Sequence, residues 1–307
     1  MRNGFVRTVG TAVCCAAMAL GSSGCVKKML IDGQLESTRK ASPALNTIGD
    51  FEVARGGAYG SIATLEGLHR LAPDNADGLF LLTKAWAGAG FGFIEDDYEQ
   101  AEDAGNEELA EYHRTRARGA YTRAVFYGLE LLAQKSDGFE KARRNVDTMK
   151  AWMKDFDKDD VDALFWTGYS WIARVNVSKD IPDMVADLFI GEVMLERVLE
   201  LDDTYEHGLA HVILGAYHAR SPLAELDDAK QQFERALQIN HGDLLVTKFQ
   251  FARTYYCFKG DKANYEKLLH EVVDAGDPMP TQRLSNTIAQ RRAKRYLSPK
   301  REQNCGF

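Results

Sequence analysis

The chain has 307 residues, 45% of them hydrophobic and 27% charged, the balance of an ordinary folded protein. Its formal charge is −7, and −9 once the first 24 residues, which carry Arg2 and Arg7 and no acid, are set aside. An acidic surface argues against nucleic acid and anionic membrane surfaces as electrostatic partners, and there is no run of 18 apolar residues to span a bilayer.

The N-terminus has the plan of an export signal. Arg2 and Arg7 form a positive region ahead of a short apolar stretch, Val9 to Leu20, and Gly21-Ser22-Ser23-Gly24-Cys25 supplies small residues at the cut. This resembles a bacterial lipoprotein signal, with residues 1–24 removed and Cys25 acylated. Ser22 stands where a large aliphatic residue is usual, so plain cleavage after Gly24 is the alternative; a cysteine at the cut favours the lipid. Val26, in place of an acid after the cysteine, points to the outer membrane. Cys14 and Cys15 leave with the signal, so only Cys257 and Cys305 are left to pair with each other, and one bridge is not a disulfide framework.

Residues 25–49 read as anchor and tether, with a weak helix ending near Ser42-Pro43. A helix from Asp50 to Leu71 is closed by Ala72-Pro73-Asp74-Asn75, and the next, Ala76 to about Ala89, sets Leu79, Leu82, Ala85 and Trp86 at helical spacing. Three glycines, Gly88, Gly90 and Gly92, then interrupt an apolar stretch. The acids Glu95, Asp96, Asp97 and Glu99 that follow are expected to be solvated. A helix from His113 to Gln134 pairs back, and Phe139 to Phe156 reads as one extra amphipathic helix. Asp159 to Asn176 pairs with Ile181 to Leu201, Glu206 to Arg220 with Leu226 to Ile239, and Asp243 to Phe258 with Lys262 to Ala275. A basic helix, Arg283 to Tyr296, and a tail over residues 297–307 finish the chain.

The pairs share a pattern. His211-Val-Ile-Leu214-Gly215-Ala-Tyr217-His218 precedes Ala229-x3-Phe233-x2-Ala236, with small residues where two helices approach closely. That is the tetratricopeptide (TPR) signature, in which a helix pair buries its apolar face only by stacking on neighbours. Gly168 to Gly215 spans 47 residues and Gly215 to Ala252 spans 37, against about 34 in regular arrays. The expectation is therefore an all-α, right-handed superhelix of degenerate TPR-like pairs with extra helices, one domain over residues 50–296.

Catalytic and metal motifs fail one by one. His207, His211 and His218 could share a helix face, but no HExxH, CxxC or carboxylate cluster accompanies them. Asp155-x-Asp157-x-Asp159 opens like an EF-hand loop, yet Asp160 replaces the required glycine and Trp166 the last ligand. No nucleophile is paired with a base, so a non-enzyme without cofactor is expected. The informative residues are aromatics on first helices, where a superhelix presents its concave wall, and Asn176 and Lys179, which helix capping by Asp180 and Pro182 leaves unexplained.

Three segments carry a closer resemblance: Phe91-Gly-Phe-Ile-Glu-Asp-Asp97, Trp171-Ile-Ala-Arg-Val-Asn-Val-Ser-Lys-Asp180, and Glu206-His207-Gly208-x2-His211-x2-Leu214-Gly215-Ala-Tyr217. In this order, over about Asp50 to Ala275, the chain resembles the T component (TatT-like) of tripartite ATP-independent periplasmic (TRAP) transporters. The resemblance implies a periplasmic TPR lipoprotein that forms a homotrimer, has an opening through each protomer, and associates with the substrate-binding P component. It implies no catalytic residues. The ligand or partner site is expected at Phe91, Phe93, Trp171, Asn176, Lys179, His207 and His211, holding an apolar or organic-acid ligand. A TPR lipoprotein that scaffolds outer-membrane or pilus assembly is the alternative.

Overall fold

The computed structural model describes residues 28–220 and 225–307; the signal and Cys25 lie outside them. Helices account for the architecture, and no strand occurs among the described residues. Helix α1 (28–41) runs into a 3₁₀ turn, Ser42–Thr47. Helix α2 (Phe51–Leu71) is started by Asp50, whose carboxylate accepts from the amides of Glu52 and Val53. Helix α3 (Ala76–Ala89) is capped by Asn75 and continues without a break through a π-helical stretch, Gly90–Ile94, into α4 (Glu95–Asp103). Helix α5 (Glu107–Ala133) begins six residues before His113, because Asn106 caps it through the amide of Leu109 at 3.1 Å.

The expected extra helix over Phe139 to Phe156 is two. Helix α6 (Phe139–Ala142) ends, and α7 (Val146–Met153) restarts where the Asn145 side chain accepts from Thr148 N at 2.9 Å. A mid-segment asparagine thus serves as a cap instead of a helical residue. Helix α8 (Val161–Asn176) is followed by the short α9 (Pro182–Ala186) and by α10 (Leu188–Leu201). Helices α11 (Tyr205–Arg220) and α12 (Leu226–Asn240) come next, then α13 (Leu245–Gln250), a second π stretch Phe251–Tyr256 and α14 (Cys257–Lys259). Helices α15 (Lys262–Asp274), α16 (Arg283–Tyr296) and α17 (Pro299–Asn304) end the chain.

Antiparallel pairs α3/α5, α8/α10, α11/α12 and α13–α14/α15 form the array. Small residues decide how closely they pack. A β-carbon on Gly168 would come within 2.9 Å of Met194 Cβ, and one on Gly191 within 2.8 Å of the Gly168 carbonyl, so α8 and α10 touch backbone to backbone. At Gly215 it would sit 2.9 Å from the Phe233 ring, which stacks on Phe251 of the next pair at 4.6 Å. That stacking carries one core cluster from pair to pair, as an array of units that cannot stand alone requires.

The C-terminal helix closes the array. Helix α16 packs on α13 and α15 and also reaches the 3₁₀ turn and α2 at the other end of the chain. Arg283 donates to the Thr47 carbonyl at 3.1 Å, and Ile288 occupies the space that Gly92 leaves open. Cys257 and Cys305 are disulfide-bonded, their Cα atoms 4.9 Å apart, which ties the tail to α14.

Candidate ligand cavity

Closure of the array leaves a cavity of about 950 Å³ at its centre, the size of a small-molecule site. Its wall takes residues from the 3₁₀ turn (Leu45), α2 (Ala58), α3 (Leu81), α8 (Ile172), α11 (Val212) and α16 (Ile288). First helices of successive pairs, α3, α8, α11 and α13, thus turn one face inward. The surface they present is largely aliphatic and aromatic, with polar groups spaced along it.

Of the residues expected at the site, four line this cavity: Phe91, Phe93, Asn176 and Lys179. Phe93 is 2% exposed and packs edge-on against Phe51 at 5.2 Å, so it shapes the wall. Phe91 is half-buried, with the Arg292 guanidinium 4.7 Å over its ring. Asn176 and Lys179 are exposed, where the α8–α9 turn meets solvent. That turn is held by Asp180, which pairs with Arg114 and Arg118 of α5.

The structure places Trp171 and His211 in helix packing and His207 on an exposed turn. Trp171 points between α8 and α10; its indole donates to the Asp187 carbonyl at 2.8 Å, and its ring lies against Phe139 and under Arg174. His211 is buried against α12, with Nδ1 2.5 Å from Gln232 Oε1, and burial holds its pKa below the ordinary value despite that bond. His207 sits in a left-handed turn, φ 60°, between Glu206 (φ 45°) and Gly208 (φ 78°), and its carbonyl accepts from Asn240 Nδ2 at 3.2 Å. Two successive non-glycine residues with positive φ mark real backbone strain. The turn brings Glu206 to the cavity wall, where it pairs with Lys84 at 2.9 Å. His218 turns to Glu225 at 2.8 Å, so the three histidines do not converge.

The acidic run after Phe93 is a correction to the sequence reading. Asp96 is 0% exposed and Glu99 is 4% exposed; neither is solvated. Glu99 is held by Arg253 (3.0 Å), Arg295 (2.7 Å) and the wholly buried Arg292, and it accepts from Tyr296 Oη at 2.9 Å. Asp96 is held by Arg291 and Arg295. Burial alone would raise the Glu99 pKa; the guanidinium groups of Arg292, Arg253 and Arg295 hold it well below the usual carboxylate range. Glu99, Arg253, Tyr296 and Arg301 also line the cavity. A signal for them existed: Asp96, Glu99 and Asp103 share one face of α4, as Arg291, Arg292 and Arg295 share one side of α16.

An array of helix pairs closed on itself around an apolar, ligand-sized cavity defines an all-helical repeat protein with a central chamber. The chain belongs to the TRAP transporter T-component family, whose model matches residues 48–303. The match extends past Ala275 to include helix α16 and most of α17. The family comprises accessory components of a transporter and is not one of enzymes. No curated protein matches the chain.

Proposed function

We propose that this protein is a periplasmic T component that holds an apolar or organic-acid ligand in its central cavity and works with the substrate-binding P component of a TRAP transporter. The observation that carries the reading is the cavity itself, walled by every helix pair and bearing Phe91 and Phe93 with Asn176 and Lys179 at its edge. Apolar surface would hold the body of the ligand, and a few polar groups would orient it. Assembly as a homotrimer and an anchor at Cys25, on the outer membrane, complete the proposal. The anchor rests on the lipoprotein-like signal: two acyl chains suffice for stable attachment. Fatty-acid label should appear on the wild type and vanish in Cys25→Ala; a wild type without label, soluble in the periplasm, ends that part of the reading.

Gly88 gives a test of the cavity that spares the fold. It lies on the wall in the interior of a continuous helix, and a β-carbon there would meet nothing within 4 Å. Gly88→Trp should project an indole into the chamber and obstruct it while leaving the melting temperature at or slightly above wild type, since glycine inside a helix is unfavourable by up to about 1 kcal/mol. Binding of anilinonaphthalene sulfonate, an apolar acid, is expected to be lost, and so is co-purification of ligand with the P component. A stable Gly88→Trp protein that binds the dye as the wild type does would refute the chamber as the site.

A further inference from the structure

Beside the central cavity lies a second recess of about 460 Å³. Five residues border both: Tyr98 and Glu102 of α4, Arg114 of α5, and Arg301 and Asn304 of α17. On its outer side the recess is bordered by Asn106, Glu107 and Glu111, all exposed, so it opens to solvent. Between the two spaces stands a layer of side chains. Tyr98 Oη donates to Glu102 Oε1 at 2.5 Å, and Arg301 Nη2 lies 3.4 Å from Glu102 Oε2.

The backbone around this layer is fixed. Lys300 donates to the carbonyls of Glu102 (2.6 Å) and Asp103 (3.0 Å), and Arg301 pairs with Asp103 at 2.6 Å. Beyond Asn304, the disulfide holds Cys305 to Cys257, and the Phe307 ring packs on Tyr265 at 5.2 Å. Strap α17 is therefore tied at both ends. What remains free to move is rotameric: the phenol of Tyr98, bonded to a half-buried carboxylate, and the exposed side chain of Asn304. A side-chain swing on that scale is fast compared with opening of the array.

We propose that Tyr98, Glu102 and Arg301 form a gate, with the outer recess as a lateral portal through which ligand enters and leaves the central cavity beneath α17. The inference rests on the cavity being the ligand site. When the Tyr98–Glu102 bond breaks and the ring turns into the recess, the two spaces become continuous. A gate of this kind sets exchange rates more than affinity, because opening lowers the barrier in both directions.

Stopped-flow exchange of anilinonaphthalene sulfonate tests it with two variants of opposite effect. Tyr98→Ala should raise association and dissociation rates together, by about fivefold or more. Asn304→Trp, at an exposed position, should slow both. Wild-type rates in both variants, with Gly88→Trp still abolishing binding, would overturn the gate and leave the cavity reading standing. A wild-type protein that binds no dye, or Gly88→Trp that binds it normally, overturns both. Should Tyr98→Ala fail to fold, Asn304→Trp decides alone: unchanged rates overturn the gate.

Discussion

Glu99→Gln is expected to cost about 3–5 kcal/mol of folding stability, the range for removing one partner of a buried ion pair. Three guanidinium groups lean on this carboxylate, and that of Arg292 has no access to water. Glutamine keeps the shape and one acceptor but leaves the cations of α16 undercompensated in a low-dielectric seam. The seam is where the end of the chain meets its first repeats, so the same change should loosen the cavity and weaken dye binding. Adding Arg292→Met should recover part of the loss, since the second change removes the stranded charge. The pH dependence has a definite sign. Glu99 is depressed in the folded state, so its contribution is fully present above the unfolded carboxylate pKa, about 4.3. It is lost as pH falls from there through the folded value. Denaturant titrations should show a wild-type advantage over Glu99→Gln that is constant from neutral pH to about 5 and shrinks only below about 4.5. An advantage under about 1 kcal/mol at neutral pH would mean that the clasp is solvated and paired only loosely.

Breaking the disulfide should have the next largest effect. The bond between Cys257 and Cys305 closes a loop of 48 residues, for which the chain-entropy relation gives about 4 kcal/mol; about 2–4 kcal/mol is the expected loss. It joins α14 to the end of strap α17, so most of that stabilisation belongs to the last helix pair and the tail. Denaturant midpoints of the Cys257→Ser/Cys305→Ser protein, and of the wild type under reductant, should fall by matching amounts. Hydrogen exchange should quicken first in α16 and α17. A midpoint indifferent to reductant would show that the two thiols are not joined in solution. The sequence had left this pairing open, because two cysteines 48 positions apart carry no geometric information.

The candidate site was half legible. Phe91 and Phe93 could be placed on a wall because they follow a first helix of a repeat, and Asn176 and Lys179 because capping had no use for them. Trp171 and His211 share the helices that supply the wall but occupy the opposite faces, where α8 meets α10 and α11 meets α12. A degenerate repeat does not say which of two apolar faces turns inward, and aromatic or histidine character suits packing as well as binding. Glu206 reached the wall by a different route, through a left-handed turn that its residue type gives no reason to expect.

What the sequence determined by itself is local and periodic. Helical spacing, the small residues at Gly168 and Gly215, and the Ala-x3-Phe-x2-Ala rows specified helix pairs and an all-α array, because each feature acts within one or two turns of the same segment. Even the error over Phe139 to Phe156 was local, one asparagine acting as a cap. Only the tertiary structure decided where the array ends. Asp96 and Glu99 look like solvated acids until α16, almost two hundred residues later, lays Arg291, Arg292 and Arg295 against them. The energy of a charge depends on what surrounds it, and burial by a distant segment reverses the reading of Asp96 and Glu99. That closure makes an open superhelix into a chamber, and with it a run of surface charge becomes part of the wall.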